Sequence, residues 1–239
     1  MKSKKYREII FILSILLLST QFSFGQKTEI KFNAYTGLFS FRGNGSTSNS
    51  WINFNPYTSP AEYTSNPYGK KSGFSYAFEL QGQRVTRGKK IYGFGISFDA
   101  LTSKVNIDTV TANGFIYTKS PATGKTTLRN TFITLNPFAG HRFMYRKITL
   151  DFLAGFDIAI CLRSKEVGSA STNNKDYSTI ENYKPKPSFD FRPRVQIKTE
   201  LNKLGFLVGY SFGLTNYQTQ NNPKTYSNFL RLGLSYKLR

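Results

Sequence analysis

Read only for hydrophobic and polar positions, residues 204–217, LGFLVGYSFGLTNY, alternate without a slip. Leu204, Phe206, Val208, Tyr210, Phe212 and Leu214 share one parity, while Gly205, Gly209, Ser211, Gly213 and Thr215 dominate the other. Period two marks a strand with two unlike faces. The pattern recurs in eight segments, about 29–39, 74–83, 90–101, 128–141, 147–162, 188–200, 203–215 and 226–238, and no segment after the first 25 residues keeps a convincing helical period. In 189–200, Phe189, Phe191, Pro193, Val195 and Ile197 oppose Asp190, Arg192, Arg194, Gln196, Lys198 and Glu200; in the last segment Phe229 is the one misfit.

The connections alternate in length, about 34, 26, 25 and 10 residues at odd places and about 6, 5 and 2 at even ones. The long ones are rich in Gly, Ser, Thr, Asn and Pro, a loop composition. Together these features predict an all-β fold, an eight-stranded antiparallel up-and-down barrel with long loops at one rim and tight turns at the other. Pro137 and Pro193 fall inside strands, where a missing N–H predicts a bulge or a rim position.

Alternation alone fits a soluble barrel with an apolar cavity and a membrane barrel with an apolar exterior equally well. The glycines separate them. On a water-facing surface Gly93, Gly95, Gly155, Gly205, Gly209 and Gly213 would weaken strands and gain nothing, whereas inside a narrow barrel they make room for long polar side chains. Strands of this length meet the nine to eleven residues that a tilted transmembrane strand needs. Aromatics near strand ends, among them Tyr35, Phe39, Tyr76, Tyr92, Phe143, Tyr210, Tyr217 and Tyr236, fit interfacial girdles. The favoured reading is therefore a transmembrane barrel.

Charge and leader refine the picture. Lys2, Lys4, Lys5 and Arg7 precede the apolar run IIFILSILLLS, and Ser23 and Gly25 stand before Gln26 with signal-peptidase spacing. Residues 1–25 read as a signal peptide and 26–239 as the barrel domain. Cleavage removes a net three positive charges from the +20 of the whole chain, leaving +17. Cys161 is the single cysteine, which excludes an intrachain disulfide. Export and the scatter of the bases along the chain argue against nucleic acid as a partner.

Candidate chemistry is sparse. His141 is the only histidine, so a multi-histidine metal site is excluded, and it falls near the short-turn rim. PATGKTT (121–127) has Lys119 where a phosphate-binding loop needs its first glycine. GFGIS (93–97) lacks the last glycine of a nucleophile elbow. No catalytic, cofactor-binding or metal residue is assigned and no cofactor is expected. The polar strand faces instead predict a salt-bridged lumen. Glu79, Asp99, Asp151, Asp157, Asp190 and Glu200 would meet Lys31, Arg192, Arg194, Lys198, Arg231 and Lys237 there, because buried charges must be paired.

The whole mature chain resembles the small outer-membrane β-barrels, the OmpX/OmpA-like and PorT-like families, in pattern. RLGLSYKL (231–238) is the most local element: Arg231, Gly233, Tyr236 and Leu238 are similar to the barrel-assembly signal of such proteins, although the chain ends Leu238–Arg239 where the family ends on an aromatic. The resemblance implies a bacterial outer-membrane location, extracellular long loops and periplasmic short turns. It also implies a non-enzymatic role in binding, adhesion, envelope structure or a membrane complex. The partners implied are outer-membrane lipids including lipopolysaccharide, the barrel-assembly machinery and a membrane protein complex. A small channel, or a lipid-modifying enzyme using His141, are the alternatives.

Overall fold

A computed structural model describes residues 27–114, 117–183, 187–218 and 223–239. The expected signal peptide and cleavage site lie outside these residues. Among the described residues there are eleven strands and no helix: β1 (Lys27–Arg42), β2 (Asn49–Phe54), β3 (Glu62–Thr64), β4 (Lys71–Val85), β5 (Lys90–Asn113), β6 (Tyr117–Tyr145), β7 (Ile148–Ser171), β8 (Asp176–Tyr183), β9 (Phe189–Leu201), β10 (Leu204–Phe212) and β11 (Tyr226–Lys237).

Eight of them close a ring. The order β1–β4–β5–β6–β7–β9–β10–β11 is antiparallel at every step, and β11 pairs back with β1 from Lys31↔Lys237 to Arg42↔Tyr226. Each sequence segment with period two maps onto one ring strand. The tight turns lie at 86–89, 146–147 and 202–203, and each contains one residue in left-handed conformation: Lys89, Arg146 and Asn202, with φ of 61°, 53° and 58°. That backbone region lets strands reverse within two to four residues.

Three features depart from the sequence reading. β5, β6 and β7 run far beyond the anticipated ends; at about 3.3 Å per residue the 29 residues of β6 outreach any bilayer crossing. The stretch taken as a 26-residue loop is thus an upright hairpin. β2 pairs with β5 in parallel, β3 with β2, and β8 with β7, so the other two longest connections also contain strand. Neither proline makes a bulge. At Asn136–Pro137 the β6–β7 ladder lapses without changing register, between Leu135↔Ile158 and Phe138↔Gly155. Pro193 pairs normally with Phe156 and stands just past the end of the β9–β10 ladder, where no N–H is required. The register shift of the β6–β7 ladder lies elsewhere, opposite Thr131 and Phe132, where Leu162 is the extra residue of β7.

Candidate functional site

The ring sorts its side chains cleanly. Outward point Phe74, Phe78 and Leu80 of β4, Phe94, Ile96 and Phe98 of β5, Phe152, Phe156 and Ile160 of β7, Val195 and Ile197 of β9, Phe206, Val208 and Tyr210 of β10, and Leu230, Leu232 and Leu234 of β11, all exposed. Water would penalise such a belt heavily, at roughly 25 cal/mol per Å², and a patch this large and continuous marks a surface made for another phase.

Inward the opposite holds. Seven carboxylates (Glu29, Glu79, Asp99, Asp151, Asp157, Asp190, Glu200) share the lumen with seven bases (Lys31, Arg142, Arg192, Arg194, Lys198, Arg231, Lys237); all are buried but Lys237, which keeps part of its surface exposed at the turn end, and among the described residues every base but Lys198 ion-pairs with one of the acids. The lumen is electrically balanced, so the excess positive charge of the chain resides at its rims. It has the fold of a small outer-membrane β-barrel.

No protein-family model matches the sequence, and no curated protein does. Among solved structures the chain is similar to Neisserial surface protein A (NspA), at 10% identity over 90% of this chain and 100% of that one, with a TM-score of 0.35. It is similar to Ail, the attachment invasion locus protein of Yersinia pestis, solved with the heparin analogue sucrose octasulfate, at 10% identity, the same coverage and a TM-score of 0.33. The strand ring, the belt and the lumen assign the fold; these distant likenesses add nothing to it.

The lumen network is layered. At the turn end Arg142 donates to both oxygens of Asp151 (2.7 and 2.8 Å) and of Glu29 (3.0 and 2.9 Å), while Lys237 donates to Glu29 at 2.6 Å and Lys31 to Glu200. In the middle Lys198 donates to Asn33 and Gln81 (3.0 and 2.9 Å), and Asn33 and Asn136 donate to Glu79 (2.8 and 3.1 Å). Above them Asp157 collects Arg192, Arg194 and Arg231, and accepts from Ser211 at 2.8 Å. Asp190 accepts from Tyr217 and Ser227, each at 2.7 Å, and lies 3.8 Å from Arg192.

Of the residues singled out from sequence, Glu79, Asp157, Asp190, Arg192, Arg194 and Arg231 thus form one connected cluster, Lys198 joins it through Asn33 and Gln81, and Asp151 belongs to the turn-end layer. Sequence reasoning missed Glu29 and Arg142. Both continue the inward parity of their strands, but Arg142 lies one residue past the recognised alternation. In the terminal stretch Arg231 and Gly233 face inward, and Tyr236 and Leu238 outward. The glycines of the lumen face leave room as needed: a Cβ at Gly95 would stand 2.4 Å from a Glu79 oxygen, and one at Gly209 3.1 Å from the Arg231 side chain.

Between the side chains little space remains. The gap beside Gln81, Asn136, Arg194 and Gln196 measures about 10 Å³, room for about one water. Purified, folded protein in planar bilayers is therefore expected to show no discrete conductance; steady unitary steps would contradict the filled lumen. His141 is on the outer face at the turn end, paired across strands with Lys90, its ring 4.8 Å from that of Phe143. Among the described residues no cluster of three or more His, Cys, Asp or Glu could hold a metal.

Three aromatics assigned to girdles are instead inside. Tyr35 packs against the lumen arginines, and Phe39 and Tyr217 join Phe41, Phe132 and Phe229 in an apolar plug at the long-loop end of the network. Rings meet edge-on there, Phe41 with Tyr217 at 4.9 Å and with Tyr68 at 5.2 Å. Burial, with Glu166 nearby, pushes the Tyr68 phenol above its ordinary pKa.

Beyond this plug the long strands carry an extension with its own core of Ile52, Val105, Ile107, Val110 and Ala170. Side chains tie its parts together. Glu166 of β7 accepts from the Thr64 N–H (3.2 Å) and the Thr179 hydroxyl (3.1 Å), Thr64 meets Thr126 at 2.9 Å, and the Ser178 N–H donates to Glu62 at 2.7 Å. Ile52 is wholly buried, so Ile52→Ala should cost the extension about 2–5 kcal/mol. Limited proteolysis should then cut within 43–70 faster, while the ring keeps its heat-sensitive electrophoretic mobility.

Proposed function

We propose that this chain is a non-enzymatic outer-membrane protein whose strand-built extension is held outside the cell to bind a partner, with the barrel as its anchor. One observation carries the reading: β5, β6 and β7 continue from the belt as a single sheet into a packed extension with a core of its own. An anchor alone would need only turns at that rim.

The foot of the extension suits an anionic surface. On its outer face Lys71 pairs with Lys104 and Arg129 with Lys165 across strands, with Lys125 and Arg163 nearby. Like charges directly opposite each other are unfavourable, by up to about 1 kcal/mol per pair, unless something negative lies over them. Lipopolysaccharide phosphates at the outer leaflet would do so, at about 1 kcal/mol per base. Membership of a membrane complex, and recognition of 231–238 by the assembly machinery, belong to the same proposal.

The test shortens β5 and β6 to a tight turn after Thr102 and before Arg129 and deletes 46–66 and 172–184. The shortened protein should still fold into the membrane but lose surface binding and any envelope phenotype. Unchanged binding and phenotype in the shortened strain would refute the proposed role.

A further inference from the structure

The turn end of the barrel opens into a bowl of about 560 Å³, whose floor is the Glu29, Arg142 and Glu200 layer and whose wall carries Lys27, Arg87, Lys89, Lys147 and Lys237. Its two acids are already engaged: Glu29 by Lys31, Arg142 and Lys237, and Glu200 by Lys31. Lys27, Arg87, Lys89 and Lys147 make no ion pair with a carboxylate among the described residues. They come from three different places in the chain, the start of β1, the 86–89 turn and the 146–147 turn, yet face one opening. Lys27 also stands against Lys237, and the nearby Glu29 offsets only part of the repulsion between the two ammonium groups.

Bases scattered only for solubility would splay into water rather than converge on a cavity. We propose that this bowl is a binding site for a phosphate-bearing anion on the periplasmic side. The lysines act as mobile point charges on phosphate oxygens, the use to which ammonium groups are suited. Arg142 already spends four of its five N–H donors on Asp151 and Glu29, so it chiefly shapes the floor. Two sources share this chemistry, a soluble phosphate compound and the headgroup of an anionic phospholipid in the inner leaflet.

Inorganic pyrophosphate titrated into the mature protein, folded in zwitterionic micelles, provides the test by calorimetry. Saturable one-to-one binding is expected, weakened at least tenfold in K27Q/K147Q and unchanged in K104Q/K125Q, which removes equal charge at the opposite rim. Heat-sensitive mobility checks that both variants are folded. No saturable binding, or equal loss in both double variants, would overturn the site. In micelles doped with phosphatidylglycerol, competition would assign the site to a lipid headgroup and its absence to a soluble phosphate; both support the bowl.

Discussion

Asp157→Ala should be among the most damaging single changes in the ring. Asp157 lies within 3.7 Å of three guanidinium groups and is wholly buried. Without it Arg192 keeps Asp99 and Asp190, and Arg194 keeps Glu79, but Arg231 loses the one carboxylate within ion-pair distance among the described residues and retains Ser211 and the faces of Phe229 and Tyr35. Breaking a buried ion pair from one side costs about 3–5 kcal/mol, because the stranded charge has neither water nor partner. Urea titration of the protein folded in liposomes should show that loss. Lys165→Ala on the outer face of the extension should stay within about 0.5 kcal/mol. If the two variants unfold at the same urea concentration, the lumen is wetter than its packing implies.

Ile96→Arg should be nearly as costly for an opposite reason. Ile96 points outward from the middle of the β5 belt, flanked on its own face by Phe94 and Phe98. An arginine there leaves water for hydrocarbon, a penalty of about 2–4 kcal/mol at the bilayer midplane. The same change at Thr127, outward on β6 above the belt, should cost little, since that position is in water. Refolding yields and urea midpoints in liposomes would compare them. Tolerance of Ile96→Arg would mean that this face does not meet lipid and that the belt is covered by protein.

The ring strands and their two faces were legible because the belt and the lumen demand opposite side chains at every second residue. Pairing partners inside were legible only as sets; that Asp157 gathers three arginines while Asp151 goes to Arg142 depends on stagger between strands, which composition does not encode. The extension escaped notice because its demands are weaker. In water a strand can show Lys, Thr or Asn outward and Thr, Ser or Gly inward, as Lys125, Thr126 and Thr127 do, and the contrast fades. β7 hides it further. Below Leu162 the buried residues are Asp157, Ala159 and Cys161; above it they are Ser164, Glu166 and Ala170. One extra residue re-phases the strand, so a scan with fixed parity loses it there.

The two halves also close differently. Around the belt every neighbouring pair of strands is joined by a backbone ladder, as hydrocarbon requires of any exposed N–H or C=O. In the extension no ladder joins β3 to β8 among the described residues; Glu62, Thr64 and Glu166 hold that edge by single bonds. A zip fastened by a few studs can part in water at small cost, since each freed amide finds a solvent partner at once. The molecule therefore combines a wall that cannot open with a tower that can, and any partner that wedges apart β3 and β8 would leave the membrane seal undisturbed.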